Sequence, residues 1–286
     1  MDVWPVGLST GCFYQHKILS CLETIKSRGF RLIEVCSVPT HLDYHNLSDV
    51  RLASVRIREL GMKAHSFHAP FAQGIDISSP SVSTRKNALT EIFRAAEAAA
   101  ALGVEHFVIH PGPEDPSIES PQIHLERLKQ TTESLFLIAE VCRQLGIRCV
   151  LENKLPHLVF ARIEDLVFIL DATVLVNVGI CLDTGHAHVA RALDGMLNML
   201  PPFLCMLHAH DNRANSDEHL PPGEGGIDWN RLAAGLRSNH FNGPVILEIA
   251  SVGDDFEIMN RAELGKRFLQ EVFQRADLLY NPAPAP

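Results

Sequence analysis

Eight short apolar runs recur along the chain, and a stretch with helix signals follows each one. The runs are Val6–Thr10, Leu32–Cys36, Lys63–His68, His106–His110, Arg148–Glu152, Val178–Asp183, Leu204–His208 and Val245–Glu248. Runs this short and this continuous read as buried strands. Gly29, Gly61, Gly103 and Gly146 fit the left-handed position that closes a helix. Ser48 fits an N-cap, and Ser120 with Pro121 fits a cap followed by proline at the first helical position. The Ala-rich run ending at Leu102 is a strong helix former. The expected later helices are Ile163–Leu170, Val189–Leu200, a seventh capped by Asp228, and a last one from about Glu257 to Leu279. Strands alternating with helices imply parallel pairing through right-handed crossovers. Eight such units, with no composition break and no linker, close into a single α/β domain, a (β/α)8 or TIM barrel over residues 1–280. An open doubly wound sheet is the competing arrangement, but no Gly-rich phosphate fingerprint follows the first strand. The final NPAPAP, residues 281–286, is expected to be a disordered Pro-rich tail.

In a barrel of this kind the chemistry sits at the C-terminal ends of the strands. Six consecutive runs, the third to the eighth, finish in His68, His110, Glu152, Asp183, His208 and Glu248. Polar strand ends can simply meet solvent, and any one of these residues alone supports no more than that. Six in succession, all drawn from His, Asp and Glu, point to one site at the barrel mouth. The densest stretch is 203–228, where His208 is followed by His210, Asp211, Asp217 and His219 and then by a Pro- and Gly-rich turn. His186 lies three residues beyond the sixth run.

Three converging carboxylates would repel one another and raise each other's pKa unless a cation joined them. A divalent metal is therefore expected. Carboxylate with imidazole suits zinc, manganese, cobalt or iron, and zinc or manganese is the expected ion. Glu152, Asp183, His208 and Glu248 make one four-ligand set with open positions for substrate. His68, His110, His186, Asp217 and His219 are candidates to complete a second or third ion, so the count is one to three.

These same segments carry a resemblance. HSFHAPF, FVIHPG, VLEN, CLDTGH, LHAHD, DEHLPPGEGGIDW and ILEI, in this order, resemble the xylose-isomerase-like barrel superfamily over nearly the whole chain. That superfamily holds sugar isomerases and epimerases, and also abasic-site nucleases of the endonuclease IV type. The resemblance to the epimerase branch implies metal binding by Glu152, Asp183, His208 and Glu248. It also implies that Glu152 and Glu248 act as the acid/base pair on the carbon beside a substrate carbonyl, through an enediolate. His186 matches a substrate-contacting position. Arg213 and His210 are further substrate-binding candidates, with His188 and His210 lying either in contact with substrate or behind the ligands. The nuclease branch has counterparts of all nine candidate ligands around three zinc ions, so a zinc-cluster abasic-site endonuclease is the alternative reading. A DNA enzyme needs cations for phosphates. The loops after the second and third runs hold neither Lys nor Arg, and only Lys154, Arg162, Arg191 and Arg213 lie near the ends of the fifth to seventh runs.

The remaining expectations follow from composition. A net charge of −9 speaks mildly against a nucleic-acid partner, without excluding one. No apolar run approaches the ~20 residues that cross a bilayer, and the first residues lack the pattern of a signal peptide. The seven cysteines form no CxxC pair and read as reduced core thiols of a cytoplasmic protein. The expected partner is a small carbohydrate, with a homo-oligomer left open. GEGG at 223–226 reads as a tight turn rather than a phosphate cradle. Trp4 and Trp229 read as packing residues, Phe13 and Phe71 as pocket walls or rim covers, and His16, His41, His45, His157 and His240 as surface or loop residues.

Overall fold

The computed structural model describes residues 4–72, 74–116, 120–176 and 178–280. Eight strands form one closed parallel barrel in the order β1 to β8: β1 Val6–Ser9, β2 Leu32–Cys36, β3 Lys63–His68, β4 His106–Ile109, β5 Arg148–Glu152, β6 Gly179–Asp183, β7 Leu204–Ala209 and β8 Val245–Leu247. The helices around it are α1 Ile18–Ser27, α2 Leu47–Glu59, α3 Val82–Leu102, α4 Pro121–Gln144, α5 Ile163–Ala172, α6 Thr184–Val189, α7 Leu193–Met199, α8 Trp229–Ser238 and α9 Asp255–Tyr280. This is the TIM barrel that the eight-fold pattern predicts. The Pro-rich tail lies outside the described residues. The last helix runs up to it, ending at Tyr280.

Two apolar layers hold the barrel together. The large one lies between strands and helices and includes Leu8, Ile33, Val35, Phe67, Phe107, Leu151, Ile180, Leu207 and Leu247, with the inward stripes of the helices. The small one fills the barrel itself: Val108, Val150, Cys181, Cys205, Met206 and Ile246, with Leu32 against it. Side chains two apart on a strand share a face. Two residues beyond Leu32, Val108, Val150, Cys181, Met206 and Ile246 come Glu34, His110, Glu152, Asp183, His208 and Glu248. The same interior surface therefore changes from apolar floor to ionisable mouth within one pleat. All seven cysteines are buried and unpaired, as expected of core thiols.

The sixth helical unit differs from its expected single span, Val189–Leu200. A helical turn, α6, begins directly at the end of β6, because the Asp183 carboxylate accepts from the His186 backbone N–H at 2.6 Å and caps it. Arg191 then adopts φ 54°, a left-handed backbone that an α-helix cannot continue through, and α7 starts afresh at Leu193.

Two irregularities in register sit on strands that feed the mouth. Between β2 and β3 the pairing slips after Ile33↔Ala64, so that Glu34 pairs with Ser66. Between β6 and β7 it slips after Ile180↔Leu204, which brings Asp183 opposite His208. Bulges of this kind commonly re-aim side chains beside active sites.

Candidate metal centre

Glu152, at the end of β5, is the hub of the mouth. Its Oε2 lies 3.1 Å from His68 Nε2, 3.4 Å from His110 Nε2 and 3.4 Å from His208 Nδ1. Its Oε1 lies 3.7 Å from His186 Nδ1. Glu248 reaches His208 Nδ1 from the other side, at 3.6 Å. Glu152, Asp183 and His208 offer ligand atoms within 4.8 Å of one another, and so do Glu34, His208 and Glu248. The structure thus brings Glu152, Asp183 and His208 together, with Glu248 on the same His208 and with His68 and His110 beside them.

A second lobe lies beside the first. Asp183 accepts from His210 Nε2 at 3.0 and 3.1 Å. Asp217 faces His186 Nε2 at 3.5 Å, His219 Nε2 at 3.1 Å and His210 Nδ1 at 3.7 Å. The His210 and His219 rings stack with centroids 3.9 Å apart. Chain geometry explains how a long loop delivers these groups. An antiparallel bridge between Asp211 and Leu220 pinches residues 211–220 into a closed excursion, and His219 within it takes a left-handed φ of 47°. A non-glycine residue pays about 1–3 kcal/mol for such a backbone.

Four histidines are each held from behind. Nδ1–H of His68 donates to the Ala69 carbonyl at 2.9 Å, and Nδ1–H of His186 donates to the Asn153 carbonyl at 2.9 Å. His110 Nδ1 is 2.7 Å from Glu114 Oε1. His208 donates through Nε2–H to Glu34 Oε2 at 3.0 Å. In each case the other ring nitrogen faces Glu152 or Asp217. Asn153 also clamps β5 to β6, donating to the Asp183 carbonyl and accepting from the Asp183 N–H.

Electrostatics follow from this packing. Burial alone would push Glu152 up, but the neighbouring His208 and His110 outweigh it and hold the carboxyl well below its usual range. Burial would pull His68 down, yet hydrogen bonding and charge from Glu152 carry it to about 9. His186 rises against its burial to about 10 beside Asp183 and Asp217, and His219 to about 9 on Asp217.

The donor set fits a divalent ion. His208 Nδ1 is fully buried and has no hydrogen-bond partner, and it points between two carboxylates. Buried polar atoms without partners are rare and call for one. His210 Nδ1 and Asp217 Oδ1 are in the same condition in the second lobe. Carboxylate and imidazole, without thiolate, suit a divalent metal ion.

The cavity above the centre measures about 520 Å³, within the usual range for small-molecule sites. Its walls are largely apolar, with Tyr14, Val38, Phe71, Leu155, Leu158 and Ile249 facing the acidic floor. Phe71 is half exposed at the rim beside His68 and His110, whereas Phe13 is buried away from it. Lys154 is the cavity's one lining Lys or Arg among the described residues. Its ammonium donates to the carbonyls of Gly112 and Pro113 and pairs with Glu114 at 3.0 Å.

Other candidates fall elsewhere. Arg213 does not line the cavity; it is largely exposed and pairs with Glu218. His210 is buried under Asp183, and His188 lines a separate cavity near α7 and α8. Asp211 turns away from the cluster. It accepts from Gly223 N, Ile227 N and Trp229 Nε1, so the GEGG segment is a turn wrapped around a carboxylate. Among the loop histidines His41 is buried, its Nδ1 on the His16 carbonyl. Glu34 joins the centre from mid-strand, without a signal at the strand end.

The sequence profile of the family described as xylose isomerase-like TIM barrel matches residues 22–272. An uncharacterized protein of Methanocaldococcus jannaschii is 28% identical over 277 residues, covering 94% of this chain and 90% of that one. A crystal structure of a D-tagatose 3-epimerase-like protein superposes with a TM-score of 0.84 at 26% identity, over 96% of this chain and 99% of that one. A D-psicose 3-epimerase crystallised with D-fructose gives 0.80 at 16% identity, over 94% and 99%, a likeness of fold alone.

Proposed function

The chain belongs to the xylose isomerase-like TIM barrel family, and from that premise we propose that it is a divalent-metal-dependent isomerase or epimerase of a small sugar, polyol or related hydroxycarbonyl compound. One observation carries the reading. Glu152 and Glu248 approach the same buried nitrogen, His208 Nδ1, from β5 and β8, at 3.4 and 3.6 Å.

In this reading Glu152, Asp183, His208 and Glu248 hold the ion. When bound, it supplies Lewis-acid polarisation of a substrate carbonyl and the adjacent hydroxyl. Glu152 and Glu248, on different sides of the mouth, do the proton work. One removes the proton from the carbon beside the carbonyl, and the other returns a proton to the opposite face, a role that needs two carboxylates on two walls. His186, fixed by the Asn153 carbonyl, presents Nε2 to a substrate oxygen. The apolar walls exclude water. Lys154 is occupied by protein oxygens, so the cavity suits an uncharged substrate better than a phosphate.

The second lobe supports an alternative, an abasic-site endonuclease with clustered zinc. Asp217 gathers His186, His210 and His219 around it, and two atoms of this group lack partners. The shortage of free cations around the cavity weighs against a DNA backbone. One metal-loaded sample tests both readings, on a panel of ketoses and inososes in deuterated water and on an oligonucleotide with one abasic site. Turnover with solvent deuterium incorporated at carbon supports the isomerase. Salt-sensitive nicking with no sugar turnover replaces it with the nuclease.

A further inference from the structure

Of the four histidines held from behind, His208 has the most unusual support. His68 and His186 lean on neutral backbone carbonyls, and His110 leans on Glu114, which is partly exposed. His208 leans on Glu34, and both side chains are fully buried. A carboxylate in the dry interior of a barrel costs several kcal/mol unless its surroundings compensate it. Glu34 Oε2 accepts from Ser66 Oγ at 2.7 Å and from His208 Nε2–H at 3.0 Å, while Oε1 has no partner. The register slip between β2 and β3 is what sets Glu34 opposite Ser66; without it the β3 neighbour would be His65.

We propose that Glu34 is a positioning residue for the metal centre: through Ser66–Glu34–His208 it fixes His208 as the Nε2–H tautomer and places a full negative charge behind its Nδ1 lone pair. The inference rests on the metal-binding part of the function argued above. Its logic is that of a ligating imidazole whose remote N–H is held by a carboxylate, which orients the ring and makes it a stronger donor. A neutral amide at this position can still accept from Nε2–H. It keeps the orientation and removes the charge.

The test uses full-length protein stripped with EDTA and dialysed, with Mn²⁺ binding followed by calorimetry. Glu34→Gln is expected to raise the Mn²⁺ Kd by ~10–100-fold, while the ion-free variant melts no lower than ion-free wild type. Activity lost in the variant returns at saturating Mn²⁺, which would not happen if Glu34 served folding alone. An unchanged Kd overturns the proposal. Should Glu34→Gln fail to fold, zinc-loaded wild type decides by long-range ¹H–¹⁵N correlation of histidine rings, with His208 identified by loss of its signals in His208→Gln. Nε2 protonated and Nδ1 metal-bound is the expected pattern, and coordination through Nε2 overturns the proposal. A wild type that takes up neither ion overturns both this inference and the metal-dependent function. Normal Mn²⁺ binding without sugar turnover removes only the substrate assignment.

Discussion

Gly185 shows how tightly single residues are fitted around the centre. A Cβ at this position would sit 2.0 Å from Cε1 of His210, the ring that hydrogen-bonds Asp183. Gly185→Ala must therefore push His210 off Asp183, and overpacking of this kind costs about 1–3 kcal/mol. Urea denaturation should show that loss, and metal content should fall with it. Glu152→Gln probes chemistry rather than space. It is expected to lower turnover by ~10²–10⁴-fold, as removal of a positioned acid/base does. Metal content measured on the same sample separates the lost proton transfer from a lost ligand. At this scale the sequence was most legible where a strand ended, because the pleat carries the last inward residue into the mouth. Glu152, Asp183 and His208 come together at the mouth, and Glu248 reaches the same His208 from β8. Glu34 escaped that rule, since Val35 and Cys36 continue its strand and its partner comes from β7, on a distant part of the chain. Arg213 follows His208 by five residues, which suggests a place at the mouth, but Glu218 holds it outward, and that pairing has no periodic signature.

Among the elements, strands and most helix starts are legible within a residue or two, because apolar runs and capping residues act locally, although α2 is capped by Asn46, with Ser48 already inside the helix. The sixth unit is not, because its break depends on Asp183 capping a helix while it also serves the centre. The loop from β7 to α8 is the other element whose form arises from a tertiary contact. Its Gly-rich end encircles Asp211, which is fully buried and accepts from two backbone N–H groups of the turn and from the Trp229 indole at 2.8 Å. Asp211→Ala leaves these donors unsatisfied, and each buried donor so stranded costs about 1–3 kcal/mol. A net loss of roughly 2–4 kcal/mol is expected, since such effects are seldom fully additive. The loop also carries Asp217 and His219, so the second lobe should loosen as well. Hydrogen exchange at 212–228 that stays as slow as in wild type would contradict this account.

The whole barrel has two ends with different chemistry, and they should respond independently. The ion proposed for the C-terminal end would bind the folded state alone, so chelation should lower the melting temperature of protein loaded with it. At a hundredfold excess over Kd the linkage is about 2.7 kcal/mol. At the N-terminal end, His106 opens β4 and shares a hydrogen bond with His65 at 2.9 Å. Burial, aided by the neighbouring His65, holds His106 down at about 4. The unfolded chain, near 6.5, then binds more protons than the folded one between these values. Stability from this group is complete above about pH 6.5, falls as pH drops toward 4, and is flat below. The loss is on the order of 3 kcal/mol by the size of the shift. His106→Asn should remove that acid-side slope and leave the chelation effect intact. His106 opens β4 and His110 follows directly after its end, ~13 Å away at the usual rise, beyond the range at which contributions normally couple. Urea midpoints of wild type and His106→Asn, with and without chelator at pH 7 and 5, give the cycle. The two effects should add within about 0.5 kcal/mol, and a larger coupling would mean that the protons at the N-terminal end are linked to the metal centre.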